Sequence, residues 1–347
     1  MDFTLLPQEL IALVVKESCS DPSTLNALVL TCKRLHKEAN PVLYASMVDC
    51  SETIQHNFLS TIQKNRELAT LVRVYVAPTN ALSLRDLIIP CLSLMVNLQE
   101  LTIIQTFFFA ARPFPLVLGQ EMPFQLKKFA STSSGGYRHA NNVAQFLENQ
   151  HELTHLHWLD NSTLHLSKNA CPRLQYLFSN LSSARAILPQ RSIVELYLHD
   201  GDDPRLGGSE FDSDQRKRDF SQLEEVGCLR ALSLDVEMSH SVKTQEFFIQ
   251  PSRNMVVLRS DWPYNWESLG LLDKFSSLKR LIINTDPSMR RSSGTAFDLE
   301  FNIPRLFIGR SNLRIVDALW EHPVRYKRWV DGVPQPGLIG INLDSLI

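Results

Sequence analysis

Glycine is scarce in this chain: thirteen residues of 347, against an average usage of about 7%. That argues against a nucleotide-cradling fold built on Gly-rich loops. No Gly-x-Gly-x-x-Gly, Walker loop, Gly-x-Ser-x-Gly elbow or His-Glu-x-x-His is present. Neither charge dominates: 35 Lys and Arg face 37 Asp and Glu, for a net charge of −2. The whole chain therefore has no pull toward nucleic acid or an anionic membrane, and neither is expected as a partner. No apolar run approaches the twenty or so residues of a membrane span, and no basic n-region precedes an apolar h-region. The six cysteines (Cys19, Cys32, Cys50, Cys91, Cys171, Cys228) are scattered, with no C-x-x-C pair. They read as reduced, partly buried thiols of an intracellular protein, so a cytoplasmic or nuclear location is expected. His151, His155, His157 and His165 lack a nearby Cys or paired carboxylate to complete a metal site. No metal, no cofactor and no enzymatic activity are expected.

Apolar residues make up 44% of the chain and charged ones 21%, which is the balance of a folded protein. A spacing of apolar-x-x-apolar-x-apolar recurs, as in Leu98–Leu101–Ile103, Leu153–Leu156–Trp158, Ile193–Leu196–Leu198, Leu229–Leu232–Leu234 and Leu278–Leu281–Ile283. Weaker copies begin at Leu126, Leu174, Met255 and Leu313, and a first strand runs over Leu68–Val76 with Leu71, Val74 and Val76 facing inward. Each copy reads as a short strand with one buried face. Steps between copies run from 19 residues (Leu174 to Ile193) to 36 (Ile193 to Leu229), scattered about the range of leucine-rich repeats. Helical stretches separate the strands: Ser83–Met95, Asn141–Glu148 and Trp266–Phe275. The pattern predicts an α/β chain forming an irregular right-handed leucine-rich-repeat solenoid, with a parallel sheet on its concave side. An ordinary α/β domain with recurrent Leu-rich strands is the alternative. Arg112–Pro123, Gly201–Asp219 and Asp286–Ala296 read as excursions or exposed loops. Arg216-Lys217-Arg218 reads as solvated loop rather than a nuclear signal. Tyr326-Lys327-Arg328-Trp329 reads as an edge-covering surface helix.

Ahead of the repeats, Leu6–Tyr44 predicts two short amphipathic helices. The first carries Leu6, Leu10, Ile11 and Val14, with Pro7 at its start. The second opens at Asp21-Pro22, carries Leu25, Leu28, Val29, Cys32, Leu35 and Ala39, and stops at Pro41. About forty residues with two apolar faces need the rest of the chain or a partner to complete a core. A further helix spans Ser51–Asn65, with Ile54, Phe58, Leu59 and Ile62 as its buried stripe.

The ordered set Leu6-Pro7-x-Glu9-Leu10, Leu25–Leu28, Cys32-Lys33-Arg34-Leu35 and Pro41-x-Leu43-Tyr44 resembles an F-box, most closely the short form of fungal F-box proteins. The resemblance implies docking on a Skp-type adaptor and, through it, on a cullin–RING ubiquitin ligase. Carried over residue by residue, Leu6, Pro7, Leu10 and Ile11 would line the adaptor contact, with Leu25 and Leu28 supporting it. The expected organisation is an F-box-like segment (1–46), a connecting helix (47–66), a repeat solenoid (67–320) and a C-terminal cap (321–347). The residues between the apolar strand positions would form a concave face for a target protein: Tyr75, His155, His157, Tyr176, Phe178, Tyr197, His199, Arg259 and Arg280, with Arg73, Glu100, Thr102, Lys128, Glu195, Asp235, Asp261 and Asn284. In the alternative reading the protein is a scaffold without ligase function, whose N-terminal helices only cap the repeats.

Overall fold

The computed structural model describes residues 6–19, 21–79, 81–104, 118–119, 121–132, 136–160, 162–188, 191–199, 228–234, 254–260, 272, 275–284, 299–321 and 325–341. Two compact units divide the chain: residues 1–153 with 169–171, and residues 154–168 with 172–347.

The first unit begins with three helices where two were expected: α1 (Gln8–Glu17), α2 (Pro22–Thr31) and α3 (Lys33–Leu43). Cys32 divides α2 from α3, because its backbone is extended (φ −158°, ψ 163°) and neither helix can continue through it. Asp21 caps α2 as its position predicts, accepting from Ser23 N at 3.0 Å and from the Ser23 and Thr24 hydroxyls at 2.6 Å. Those donors hold its carboxyl down at about 2. Pro41 does not stop the run but lies inside α3. It sits in the last turn, where a missing N–H disturbs little that follows.

Helix α4 (Glu52–Lys64) buries Leu59 and Ile62 as expected, while Ile54 is exposed and Gln55 takes the inward place. Gln55 can be buried because its amide is satisfied: Nε2 donates to Val76 O at 3.0 Å and Oε1 accepts from the Tyr75 hydroxyl at 3.0 Å. Strand β1 (Ser46–Met47), which lies between α3 and α4, and the strands that follow α5 (Arg66–Ala69), namely β2 (Val74–Pro78), β3 (Glu100–Ile104) and β4 (Lys128–Ser131), pair in parallel, in sequence order. Helix α6 (Arg85–Leu92) joins β2 to β3, burying Ile88 and Leu92, and α7 (Gly136–Leu147) follows β4, burying Val143, Phe146 and Leu147. Amides just ahead of the strands tie neighbouring repeats together. Asn97 Nδ2 donates to Thr70 O and Gln125 Nε2 to Asn149 O, both at 2.8 Å.

The inward face of β2 is opposite to the one expected. Val72, Tyr75 and Ala77 are buried, whereas Val74 and Val76 are half-buried. The register explains it: Tyr75 lies beside Leu101 and Ala77 beside Ile103, so the repeat phase begins at Val72 and not at Leu71. A one-residue shift turns every side chain of a strand to the other face.

In the second unit, β5 (His155–Trp158), β6 (Tyr176–Asn180), β7 (Glu195–His199), β8 (Ala231–Leu234), β9 (Val257–Ser260), β10 (Arg280–Ile283) and β11 (Ile315–Glu321) are parallel and paired in sequence order. The recurring Leu positions meet in one row, Leu156–Leu177–Leu196–Leu232–Leu258–Leu281–Val316, and every member is buried. Each such side chain is worth about 2 kcal/mol of burial. Helix α8 (Leu181–Ile187) joins β6 to β7, and α9 (Leu299–Leu306) precedes β11. Neither was evident from the repeat spacing.

The expected surface helix at Tyr326–Trp329 is instead strand β12 (Arg325–Val330), antiparallel to β11 and followed by β13 (Val333–Pro334). Tyr326 and Trp329 are buried, on opposite faces, beside Leu319 and Val316. Between β12 and β13, Asp331 and Gly332 both have positive φ (49° and 84°). This is the geometry of a tight hairpin turn, which favours an Asp-Gly pair. Ile339 and Ile341 pack on Ala231, Val257, Ile282, Leu319 and Tyr326. The expected loops at 201–219 and 286–296, residues Asp235 and Asp261, and most of the helix expected at Trp266–Phe275 lie outside the described residues.

Candidate interaction surfaces

The first surface lies on the N-terminal helices. Ile11, Val15, Leu25, Leu35 and Ala39 make a closed core, with Leu6, Leu28, Val29, Cys32, Val42 and Leu43 packed on it. All of these come from residues 6–43, so the three helices supply one another's apolar neighbours. Of the residues expected to line an adaptor contact, Pro7 and Leu10 are exposed, Leu6 and Leu28 are half-buried, and Ile11 and Leu25 are buried. Ile11 and Leu25 therefore support the helices and do not form an outer contact, because α3 covers them. The outward apolar side chains are Leu10 (47% exposed), Leu13 (51%) and Val14 (41%) on α1, and Leu30 (85%) on α2. Leu13 and Leu30 escaped the sequence reading. A signal was present, since Leu10, Ile11, Leu13, Val14 and Val15 are too many for one stripe of a ten-residue helix.

The second surface is the face of the second unit's sheet opposite the Leu row. There the rings of successive strands stack. His155 and His157 lie 5.4 and 5.0 Å from Tyr176, and His157 lies 5.7 Å from Phe178. Phe178 is 4.2 Å from Tyr197 and 5.4 Å from His199. All five pairs are near parallel, between 18° and 28°. The cause is register: His155 pairs with Tyr176, and His157 with Phe178 and then Tyr197. Side chains on strands about 4.8 Å apart bring flat rings to stacking distance. Tyr176 is buried within the stack, while His155, His157, Phe178, Tyr197 and His199 are half-buried. His155 Nδ1 lies 2.9 Å from Thr154 Oγ1, and a His199 ring nitrogen lies 3.2 Å from Trp158 O.

No family model matches this sequence, and no curated protein matches it.

The row continues past the rings. Tyr197 pairs with Ser233, and Ser233 with Arg259. The Arg259 guanidinium lies 5.1 Å from the centre of the Tyr197 ring. Further on, Asp317 is fully buried and accepts from Arg280 Nε at 2.8 Å, Arg328 Nε at 2.6 Å and Arg328 Nη2 at 3.0 Å. The carboxylate pushes the Arg328 pKa up through these bonds. Arg280, expected as a target contact, is thus committed to an internal ion pair. Asp317 was missed, although a lone Asp in the apolar run Ile315-Val316-Asp317-Ala318-Leu319 is the kind of residue that needs a buried partner. Tyr75, also expected on this surface, belongs to the core. Its hydroxyl is bonded to Gln55, and burial pushes its pKa up. In the first unit, Glu100 and Lys128 do face outward, as a 3.5 Å ion pair.

Among the described residues no group of three or more His, Cys, Asp or Glu could hold a metal ion, and no helix is long and apolar enough to cross a membrane. No disulfide links the six cysteines. Ser131 Oγ and His139 Nε2 lie 3.1 Å apart, but both residues are buried within the first unit.

Proposed function

We propose that this protein is an F-box substrate receptor. Its N-terminal helices would bind a Skp-type adaptor, and the ring-stacked sheet face of its second unit would bind a target protein for ubiquitination. The reading rests on one observation above others: α1–α3 hold a core of their own while turning Leu10, Leu13, Val14 and Leu30 outward. Helices that merely capped the sheet would bury that stripe against it. An apolar helix face left outside is suited to docking in a groove on a partner. We further propose that the strand units are irregular leucine-rich repeats of a right-handed solenoid, with the ring-bearing face concave. In-order parallel pairing and the shared Leu row support this. Such a protein catalyses nothing. It raises the effective concentration of a target lysine near a ubiquitin-charged enzyme by holding two partners on one scaffold.

Co-purification with a Skp-type adaptor tests the reading, comparing wild type with Leu10→Glu/Leu13→Glu. Both residues are exposed, so the fold, followed by circular dichroism, is expected to survive. Wild type is expected to form a one-to-one complex that the double variant loses at least tenfold. Failure of folded wild type to bind would leave the alternative, a scaffold that shares the target face and has no ligase role.

A further inference from the structure

At the entry ends of strands β7–β11 the second unit carries an open groove of about 840 Å³. One side of it is a row of residues a single position ahead of the strands: Val194, Arg230, Val256 and Lys279. Backbone pairing holds the row in register. Arg230 N donates to Val194 O at 2.9 Å, Val256 N to Arg230 O at 2.7 Å and Lys279 N to Val256 O at 2.9 Å. Strands about 4.8 Å apart therefore set Arg230 and Lys279 about 10 Å from each other along the row. Both are exposed, and among the described residues neither has an ion-pair partner. No Asp, Glu or aromatic residue is among those that line the groove, while Ser192 and Ser277 add hydroxyls to it. The next residue of the row shows what this position accepts. Arg314, whose N donates to Lys279 O at 2.9 Å, gives an Nη1 hydrogen bond to Asp331 Oδ1 at 3.0 Å, and Asp331 N donates back to Arg314 O at 2.9 Å. At β11 the chain's own hairpin thus lays an acidic residue across a strand entry. At β8 and β10 the bases face the groove without one.

We propose that this groove binds an extended acidic segment of a partner polypeptide, with Arg230 and Lys279 each meeting one carboxylate. Bases two strands apart do not converge on a single phosphate, so the ligand has to carry separated charges. A polyproline-II chain, rising about 3.1 Å per residue, returns every third side chain to the same side after about 9 Å. That repeat matches the separation of the two bases. Between them, half-buried Val256 offers aliphatic surface to the intervening residues. The serine hydroxyls can donate to the carbonyls of the bound segment. A single-stranded nucleic acid fits less well, because the groove has no ring for a base to stack on and the chain's net charge is −2. No residue of the adaptor helices or of the ring stack lines the groove, so the site goes beyond both surfaces described above.

Fluorescence anisotropy on the full-length protein tests this with two labelled peptides, three repeats of Glu-Pro-Pro and three of Gln-Pro-Pro, both closed as amides. Wild type is expected to bind the glutamate peptide and not the glutamine one, with an affinity that falls as salt is raised. Arg230→Ala/Lys279→Ala is expected to weaken binding about tenfold or more. Lys64→Ala/Arg66→Ala removes the same charge from exposed positions of the first unit and is expected to change nothing. A second readout locates the peptide on unaltered protein. Cys228 is exposed and lines the groove, so bound glutamate peptide is expected to slow its alkylation by iodoacetamide several-fold, read by mass mapping. Cys19 and Cys50, also exposed, are expected to react at their former rates. Equal binding of the two peptides, equal losses in the two double variants, unprotected Cys228, or tighter binding of a labelled oligothymidylate each overturns the proposal. If Arg230→Ala/Lys279→Ala does not fold, protection of Cys228 in wild type decides. Adaptor co-purification is read separately, so the groove and the ligase role fail independently.

Discussion

Acidification is expected to destabilise the first unit through one residue. His139 sits on α7 with its Nε2 3.1 Å from Ser131 Oγ on β4, and it is 2% exposed. Burial pushes its pKa down from 6.5 to about 4. The folded state therefore keeps the imidazole neutral at pH values where the unfolded state protonates it. Above pH 6.5 neither state carries the proton and stability is unaffected by this group. Between 6.5 and 4 the unfolded state binds more protons, so stability falls as pH falls. Below 4 both states are charged and the loss is complete. A shift of that size corresponds to about 3 kcal/mol in all, of which roughly 2 kcal/mol is lost by pH 5. Urea unfolding followed by circular dichroism at pH 7.5, 6.5, 5.5 and 5 gives the slope. His139→Gln retains a side-chain hydrogen-bonding group and cannot titrate there. Its curve is expected to be flatter than wild type by that amount. Parallel curves for the two proteins between pH 6.5 and 5 would refute the reasoning.

Two further substitutions probe buried polar pairs. Asp317→Asn removes the charge that Arg280 and Arg328 share and is expected to destabilise the second unit by about 3 kcal/mol; a change under about 1 kcal/mol in urea unfolding would show the ion pairs to be dispensable. Tyr75→Phe deletes the hydroxyl that Gln55 accepts from at 3.0 Å and is expected to cost about 1–2 kcal/mol, whereas an unchanged midpoint would mean that the buried amide finds another donor.

The strand of every repeat was legible, because a Leu row and its period are local properties of the sequence. The phase of the first repeat was not. Leu71-Val72-x-Val74-Tyr75-Val76-Ala77 offers apolar residues on both faces, and only pairing with Leu101 and Ile103 chooses Tyr75 and Ala77. Nor was the split at Cys32, since Leu25, Leu28, Cys32, Leu35 and Ala39 keep helical spacing straight across it. The ring-bearing residues of β5–β7 were found by position alone. What they touch was not, because stacking depends on which strand lies beside which. The hairpin at Asp331-Gly332 carried a recognisable turn signal, and that pair outweighs the helix reading of Tyr326–Trp329. Arg259 could be placed on the outward face, yet its burial follows from the small Ser233 beside it, which lets the side chain lie toward Tyr197.

Pairing in sequence order also sets how this sheet comes into being. Successive parallel strands from β5 to β11 have to close register steps of between 19 residues, from Tyr176 to Glu195, and 36, from Glu195 to Ala231. Nearly doubling a loop adds only about 0.6 kcal/mol of closure entropy. No strand among β5–β11 must wait for a distant one, so assembly can start at any neighbouring pair and spread outward one strand at a time. The same order governs loss: the array frays strand by strand from an open edge, and its centre is the last part to come apart.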